Sequence, residues 1–310
     1  MDSSPSTSEV RPLRHPTDLA GVFRTASATQ PDAPLLYHGP RVWTYSEIAA
    51  DARALASAFQ DVGVEKGDRI AVHLPNLPET VVTIIAAAEL GALIVPVNPH
   101  SSPNELRFVL RNTEATIAVI AERHGGIEYL ELFESMLPDL PCLQYLATVG
   151  KEDLWYDDRI FQFEDLVSAG RGLSFNPVAV VAGDPLAILY TSGTSQKQKG
   201  VVLSHGNLFH AARATATVLG MDSSDTTLCC VPLFNIFGLG ATLLPTLVTG
   251  GSLILQEQFD AAEALDLIET HRPTVLHGVP TMFVLMLREL ANRNVDVTSL
   301  RTGIIAGAHQ

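Results

Sequence analysis

The chain has 310 residues, of which 46% are hydrophobic and 17% charged, with a mean hydropathy of +0.20. This composition predicts a globular protein with a large buried core, formed as one large domain or two ordinary ones. The formal net charge of −14 argues against nucleic-acid binding, because phosphate contacts need a basic surface.

The first residues predict neither a compact domain nor a secretion signal. Residues 1–16, MDSSPSTSEVRPLRHP, are rich in Ser and Pro and lack an apolar run, so we expect a flexible tail. The three cysteines, Cys142, Cys229 and Cys230, have no metal-ligand spacing and favour a reducing compartment. We therefore expect a cytoplasmic protein.

The first half of the chain predicts alternating strands and helices. Residues 35–42 predict a β-hairpin, and Thr44 with Glu47 predicts a capping box on a helix that ends near Gly63. Strands are predicted at 68–74, 93–97 and 117–121, and helices at 76–90 and 103–113. Because strand, helix and strand alternate, we expect an α/β fold of layered parallel sheets covered by helices.

In the middle of the chain the pattern weakens. Residues 146–149 favour a strand, and residues 155–171 favour a mixed, charged connection. His73, His100 and His124 share no spacing typical of metal ligands, so we interpret them as surface histidines or histidines satisfied in loops. No His, Cys or carboxylate cluster predicts a tightly bound metal, and we expect any divalent ion to arrive with a bound ligand.

Residues 186–208, LAILYTSGTSQKQKGVVLSHGNL, are the most informative stretch. Residues 186–190 predict a buried strand, and the loop from Thr191 to Gly200 combines hydroxyls, glycines and lysines. Hydroxyls, successive backbone N–H groups and a lysine charge suit phosphate, so a nucleotide is the first ligand to consider. A polar hairpin is the alternative. The loop lacks the spacing of a Walker motif, and FGLGATL lacks the third glycine of a dinucleotide fingerprint.

The second half predicts further helices and strands. No charged residue occurs between Thr226 and Gln256, but prolines and glycines interrupt this stretch, so we expect a buried helix, a turn and a strand rather than a membrane span. Around it we predict a helix capped by Asn207 and running to Leu219, a strand at 227–231, a helix at 259–271, and strands at 274–277 and 300–305.

The segment TSGTSQKQKG, followed by SHGNL, resembles the phosphate-binding signature of the adenylate-forming superfamily, which includes acyl-CoA synthetases, luciferases and the adenylation domains of peptide synthetases. That loop usually reads Thr/Ser-Ser-Gly-Thr-Thr-Gly-x-Pro-Lys-Gly-Val, whereas this chain has Gln196 for glycine and Gln198 for proline. The resemblance implies a catalytic role for Lys199 and a place for Mg²⁺ at Thr194. The implied ATP-binding residues are Thr191, Ser192, Gly193, Thr194, Ser195, Lys199 and Gly200.

Other segments resemble the acyl pocket of bacterial fatty-acyl-CoA ligases. PLFNIFG resembles the family segment Pro-Leu-Phe-His-x-x-Gly, which gates the pocket, but Asn235 occupies the histidine position. An amide forms hydrogen bonds without titrating near neutral pH, which argues against a proton-linked role there. HGVPTMF and the Gly-Ala turn at 307–308 resemble segments around the acyl and adenine groups, although ordinary core packing also accounts for the large apolar side chains. The implied pocket residues are Phe234, Asn235, Phe237, His277, Gly278, Met282, Gly307 and Ala308.

The resemblance covers residues 20–310 and implies the N-terminal portion of a longer enzyme. The family continues with a Tyr-Gly-x-Thr-Glu segment, a ribose-binding aspartate, a hinge and a small C-terminal domain with a catalytic lysine. We therefore expect a partial AMP-binding domain at 17–310, divided into α/β regions at about 17–182 and 183–310. The C-terminal domain would come from the rest of the full-length protein or from a partner.

By resemblance, the complete enzyme converts a fatty or other apolar carboxylic acid and ATP to an acyl-adenylate, then transfers the acyl group to coenzyme A. For this chain alone we expect weak adenylation at best. One alternative is a binding module that holds a nucleotide or acyl-adenylate without making it, which Gln196 and Gln198 favour. Another is a structural or interaction protein that binds neither.

Overall fold

The computed structural model describes residues 18–151, 158–191 and 198–307. It confirms the predicted α/β fold, with sheets of 7, 5 and 2 strands in the described part of the chain. The strands are β1 (Pro34–His38), β2 (Arg41–Thr44), β3 (Arg69–His73), β4 (Leu93–Pro96), β5 (Ile117–Ala121), β6 (Arg123–His124), β7 (Ile127–Glu128), β8 (Tyr145–Val149), β9 (Ile160–Gln162), β10 (Pro185–Thr191), β11 (Lys199–Ser204), β12 (Thr226–Cys229), β13 (Ser252–Leu255) and β14 (Val275–Leu276).

Helices cover the two larger sheets. They are α1 (Leu19–Thr29), α2 (Tyr45–Asp61), α3 (Pro78–Leu90), α4 (Pro103–Thr113), α5 (Tyr129–Met136), α6 (Phe163–Gly170), α7 (His205–Leu219), α8 (Leu244–Thr249), α9 (Ala261–His271) and α10 (Pro280–Leu290). A 3₁₀ turn follows α5 at Leu137–Asp139, and a π-helix at Phe237–Leu243 leads into α8. No helix among the described residues is long and apolar enough to cross a membrane.

The larger sheet has the strand order β11-β10-β4-β3-β5-β8-β9. Every neighbouring pair from β10 to β9 is parallel, and only β11 is antiparallel, at the edge. The central strands are apolar on both faces, and every residue of β5 is buried. Because the strands are parallel, β3, β4, β5 and β10 end at the same edge, where ligand sites of open α/β sheets lie.

The smaller sheet has the order β14-β12-β13-β1-β2. Its strands are parallel except for β2, which pairs with β1 in the predicted hairpin. Each of the two larger sheets takes strands from both sides of residue 183. The sheets therefore do not coincide with the predicted regions 17–182 and 183–310, and that division stays a prediction.

Local capping chemistry fixes several helix starts. The predicted capping box of Thr44 and Glu47 is confirmed at the start of α2. For α7, the prediction of Asn207 as the cap was wrong by three residues. The backbone of Ser204 is extended, and its hydroxyl oxygen accepts a hydrogen bond from the backbone N–H of Asn207. The side-chain oxygen of Asn207 in turn accepts a hydrogen bond from the backbone N–H of Ser204. A serine hydroxyl therefore starts the helix, and Asn207 is its reciprocal partner.

Two other predictions needed correction. Residues 300–305 pair with the segment around β14 only through isolated bridges at Thr302 and Ile305, because β14 is two residues long and the chain turns into α10 at Pro280. The stretch predicted as a mixed connection contains β9 and α6. The buried residues of α6 follow helical spacing, but the helix is too short for the pattern to stand out.

Candidate nucleotide and acyl site

The predicted phosphate loop is closed by an antiparallel hairpin. Thr191, the last residue of β10, lies directly opposite Lys199, the first residue of β11, and Tyr190 lies opposite Gly200. Ser192, Gly193, Thr194 and Ser195 lie outside the described residues. Both ends of the loop are thus held side by side at the carboxyl edge of the larger sheet, and the Lys199 side chain has no hydrogen-bond or ion-pair partner within the described ranges.

Helix α4 anchors this hairpin on two sides. Gln198 Nε2 donates to Glu105 Oε1 at 3.2 Å, and Asn112 Nδ2 donates to the Tyr190 hydroxyl at 2.6 Å. The backbone N–H of Ser102 donates to the other oxygen of Glu105 at 2.9 Å, and this bond is the main reason that the pKa of Glu105 lies below its usual value. The C-terminal end of the loop, at Gln198, is therefore hydrogen-bonded to the capped N-terminus of α4.

A cavity of about 340 Å³ opens beside the hairpin at the carboxyl edge of the sheet. This volume lies within the usual range for small-molecule sites. Its polar lining offers amide, hydroxyl and imidazole groups together with one carboxylate. The lining residues are Pro96, Val97, Asn98, His100, Ser101, Glu105, Val109, Tyr190, Thr191, Gln198, Phe234 and Asn235.

Asn235 combines a structural contact with exposure to this cavity. Its Oδ1 accepts the N–H of Gly238 at 2.9 Å, so the side chain caps the turn that leads into the π-helix. Gly238 packs so closely that an added Cβ would lie 2.0 Å from the Pro232 oxygen. The segment from Pro232 to Gly238 is therefore held in one shape, with Phe234 and Asn235 on the cavity wall.

Several of the predicted acyl residues of the second half lie close to one another. Phe237 and His277 have ring centroids 6.1 Å apart. Gly278 exchanges backbone hydrogen bonds with the segment before Gly307, donating to the Ile304 oxygen at 3.0 Å and accepting from Ala306 at 3.2 Å. A Cβ at Gly278 would lie 3.5 Å from Met282 Sδ. Ala308 lies outside the described residues.

Three histidines lie at the carboxyl edge of the larger sheet: His73 is the last residue of β3, and His100 and His124 follow β4 and β5. The His100 and His124 rings are 5.7 Å apart, and His124 Nδ1 lies 3.3 Å from the Glu257 carboxylate. His73 is fully buried, and neither of its ring nitrogens has a partner among the described residues. The prediction of a surface or satisfied loop histidine was therefore wrong for His73. Burial lowers its pKa to about 3.

His100 and His124 line a second cavity, of about 270 Å³. It adjoins the first cavity at Asn98, His100 and Phe234, which line both. Sequence spacing missed this cluster because its members follow separate strands. The signal was nevertheless present, since each histidine lies at or just after the end of a predicted parallel strand. Within the described ranges, no group of at least three His, Cys, Asp or Glu side chains could hold a metal ion.

Sequence and structure comparisons identify relatives of this chain. The profile described as AMP-binding enzyme matches residues 23–309. A feruloyl-CoA synthase from Amycolatopsis is 31% identical, with 90% of this chain and 52% of that protein covered. A long-chain-fatty-acid–CoA ligase from Bacillus subtilis is 27% identical, with 96% and 56% covered. The chain therefore spans about half the length of these curated relatives.

The comparison with solved structures agrees with the sequence comparisons. A crystal structure of a long-chain-fatty-acid-CoA ligase from Archaeoglobus fulgidus superposes with a TM-score of 0.82 at 26% identity, covering 94% of this chain and 58% of that one. The similarity extends through nearly all of this chain and about half of the solved one.

Proposed function

Because the chain belongs to the AMP-binding enzyme family, we propose that it binds ATP and a carboxylic acid and supports formation of an acyl-adenylate, whose acyl group then passes to coenzyme A. The observation that carries this proposal is the pairing of Thr191 with Lys199 at the carboxyl edge of the larger sheet, beside the 340 Å³ cavity. Thr191 and Gln198, on either side of the undescribed part of the loop, line this space of ligand size, which supports the proposal.

The chemistry assigns a role to the loop. A carboxylate oxygen attacks the α-phosphorus of ATP, and the bond to the departing pyrophosphate breaks, so negative charge must be stabilised on both phosphate groups. We assign phosphate binding to Thr191, Ser192, Gly193, Thr194, Ser195 and Gly200, and the positive charge to Lys199. Mg²⁺ would neutralise phosphate charge, with the Thr194 hydroxyl as its candidate ligand in this chain.

We assign the acyl group to the space around Phe237, His277, Gly278 and Met282, with Phe234 and Asn235 at its entrance and Gly307 and Ala308 towards the adenylate. The large apolar side chains favour an apolar acid, fatty or aromatic. Relatives named for ferulic acid and for long-chain fatty acids are consistent with either class. The cysteines of the described residues are free thiols, which fits the proposed cytoplasmic location.

The relatives are about twice as long as the part that this chain matches, and the additional part matters for catalytic turnover. We propose that a further polypeptide segment, from the same full-length protein or from a partner, supplies the groups that this chain does not offer to pyrophosphate and coenzyme A. Binding of ATP is then a property of this chain, whereas fast turnover depends on that segment.

Calorimetric titration of the chain with ATP and Mg²⁺ tests the proposal. We expect binding by the wild type and a loss of affinity of about tenfold or more in Lys199→Met, because a charge-assisted contact to phosphate is removed. Lys151→Met, at another exposed lysine, is the matched control. No ATP binding by the folded wild type would refute the assignment. ATP and acid binding without pyrophosphate release, measured with the further segment also present, would indicate the binding module instead.

A further inference from the structure

Glu105 supplies the single carboxylate among the described residues that line the 340 Å³ cavity. After β4 ends at the carboxyl edge of the larger sheet, residues between 97 and 101 contribute to the cavity wall, and the chain then enters α4. Glu105 lies in the first turn of that helix, and its side chain is exposed. Its hydrogen-bond partner Gln198 lines the same cavity. A ligand in the cavity can therefore reach the carboxylate.

The hydrogen bonds of Glu105 leave one acceptor position of the carboxylate unused. Its Oε2 accepts from the backbone N–H of Ser102 at 2.9 Å and from the Ser102 hydroxyl at 2.8 Å. Its Oε1 accepts only from Gln198 Nε2, at 3.2 Å. Each oxygen of an ionised carboxylate has about two acceptor positions. Within the described ranges, Oε1 therefore keeps a free position beside the C-terminal end of the loop.

The negative charge of Glu105 has no cationic partner in the described part of the chain. The carboxylate forms no ion pair, and hydrogen bonds lower its pKa, chiefly the bond from the Ser102 N–H. Glu105 is therefore ionised at neutral pH, and it lines the cavity beside which the proposed function places the phosphates of ATP. Negative groups close to each other repel unless a cation lies between them.

The groups around Glu105 suit a small divalent cation. Mg²⁺ prefers oxygen ligands, keeps several waters, and usually binds through one or two carboxylates together with substrate phosphates. The cavity wall offers the Glu105 carboxylate, the hydroxyls of Ser101 and Thr191, and the amide oxygen of Asn98. No cluster of three His, Cys, Asp or Glu side chains among the described residues could hold a metal alone. A metal that arrives with a nucleotide does not need such a cluster.

We propose that Glu105 is a ligand of the Mg²⁺ ion that accompanies ATP, and that the ion joins its Oε1 to phosphate oxygens. This adds a carboxylate on α4 to the loop hydroxyl of Thr194 as a group that binds the metal. The inference rests on the proposed function and extends it. Without Mg²⁺ the charge of Glu105 opposes nucleotide binding, whereas with Mg²⁺ it favours binding, so the two ligands should be coupled through this side chain.

The test compares nucleotide affinity with and without Mg²⁺. The probe is α,β-methylene-ATP, which cannot be cleaved between its α- and β-phosphates, so binding is measured without turnover. Calorimetric titrations in excess Mg²⁺ and in EDTA give the ratio of the two affinities for the wild type, Glu105→Gln, Glu131→Gln and Gln198→Leu. Glutamine at this helix position can also accept the Ser102 N–H, so Glu105→Gln retains the helix cap and removes the charge.

Two controls separate metal binding from other effects of the substitution. Glu131 is also an exposed glutamate in the first turn of a helix, α5, but it lines neither cavity at the carboxyl edge. Glu131→Gln therefore removes the same charge away from the proposed metal site. Gln198→Leu removes the hydrogen bond between the loop and Glu105 but leaves the charge of Glu105 in place.

We expect Mg²⁺ to raise the affinity of the wild type about tenfold or more, because a charge-assisted contact is gained. Glu105→Gln should reduce this ratio about fivefold or more and should raise the affinity in EDTA, because a repulsive charge is removed. Glu131→Gln should leave both affinities unchanged. Gln198→Leu should lower both affinities about threefold and leave their ratio unchanged.

A spectroscopic measurement tests the contact directly. With Mn²⁺ in place of Mg²⁺ and ¹³C in the glutamate carboxyl groups, electron–nuclear double resonance detects a carboxylate that is bound to the metal. We expect the ¹³C coupling of such a carboxylate in the nucleotide complexes of the wild type and of Glu131→Gln, and its loss in Glu105→Gln.

An unchanged affinity ratio or an unchanged ¹³C coupling in folded Glu105→Gln would overturn the metal-binding role while leaving the proposed function standing. Equal affinities of the wild type with and without Mg²⁺ would do the same. Failure of the wild type to bind the nucleotide under either condition would instead overturn the proposed function and this inference together. Thermal denaturation of each variant establishes that it is folded before affinities are compared.

Discussion

Asn76 and Leu233 are 157 residues apart in sequence, yet Asn76 Oδ1 accepts the backbone N–H of Leu233 at 2.8 Å. The amide nitrogen of the same side chain donates to the oxygens of Val231 and Gln256, each at 3.1 Å. Asn76 is buried in the turn between β3 and α3, whereas its partners follow β12 and β13. One side chain thus joins the two larger sheets and positions the segment that carries Phe234 and Asn235.

Replacing this amide should destabilise the fold. In Asn76→Asp, an oxygen replaces the NH₂ group that donates to backbone carbonyls, so we expect a loss of about 2–4 kcal/mol in the free energy of unfolding. Urea denaturation at neutral pH measures the change. The matched control is Asn104→Asp on the exposed surface of α4, for which we expect less than about 0.5 kcal/mol. Equal effects of the two substitutions would contradict the bridging role of Asn76.

The strand β3 was predictable from the sequence, whereas the contacts of Asn76, which lies just after it, were not. The strands and helices from residue 68 to residue 121 were predicted because hydrophobic period, capping residues and glycines act over a few neighbouring residues. The contacts of Asn76 depend on how two sheets pack, and no local pattern contains that information. The sequence suggested only that Asn76 starts a helix, which in fact begins at Pro78.

The candidate site divides in the same way. The pairing of Thr191 with Lys199 follows from a strand, a loop and a second apolar run, so the hairpin was predictable. The cluster of His73, His100 and His124 was not, because its members come from three strands and meet only when those strands align in parallel. Asn235 was found only because PLFNIFG resembles a family segment, since its cap to Gly238 resembles any helix start.

Asp225 provides a test of buried electrostatics beside the smaller sheet. Its side chain is 3% exposed and accepts from Arg301 Nε at 3.0 Å and from Thr274 Oγ1 at 2.6 Å. Burial alone would raise the pKa of Asp225, but the hydrogen bonds from Arg301 and Thr274 outweigh it and hold that pKa below the usual value. Folding therefore stabilises the ionised form of the Asp225 side chain relative to its protonated form.

The sign of the resulting pH dependence follows. A carboxyl whose pKa is lower in the folded state contributes stability above its unfolded pKa, about 4, and this contribution is lost as the pH falls through the folded pKa. We expect Asp225→Asn to lose about 2 kcal/mol at pH 7 and to show a shallower decline below about pH 4. Urea denaturation across pH measures both. Asp266→Asn, whose partner Arg293 lies at the surface, should change stability far less. Parallel pH curves for wild type and Asp225→Asn would refute this account.

Gln198 tests how the exit of the phosphate loop is held. The hydrogen bond to Glu105 supplies a restraint at the position where the family usually has proline. We expect Gln198→Leu to weaken ATP binding about threefold, because one hydrogen bond at the loop exit is lost. Gln198→Pro should restore the affinity, since proline restricts the backbone directly. Calorimetric titration measures the affinities, and Gln144→Leu, at an exposed glutamine outside the cavity, is the control. Weaker binding by the proline variant than by the leucine variant would contradict the restraint.

His73 should make the protein sensitive to mild acid. Burial is the main reason that its pKa lies near 3, and electrostatic interaction with the neighbouring His124 and His100 lowers the pKa further. In the unfolded chain a histidine takes up a proton near pH 6.5, so the unfolded state binds more protons below that pH. The stability that neutral His73 contributes is complete above about pH 6.5 and is lost progressively as the pH falls towards 3.

His73→Leu removes this titration while leaving an apolar side chain between Tyr129 and Phe133, whose rings lie 4.5 and 5.4 Å from the imidazole. Between pH 7.5 and pH 5 we expect the wild type to lose about 2 kcal/mol more than the variant in the free energy of unfolding. Urea denaturation at both pH values measures this difference and is insensitive to any loss of packing that is the same at each pH. His210→Asn, on the exposed face of α7, should follow the wild-type curve. An identical acid loss in wild type and His73→Leu would mean that the acid sensitivity arises from other groups and that His73 does not remain neutral in the folded protein.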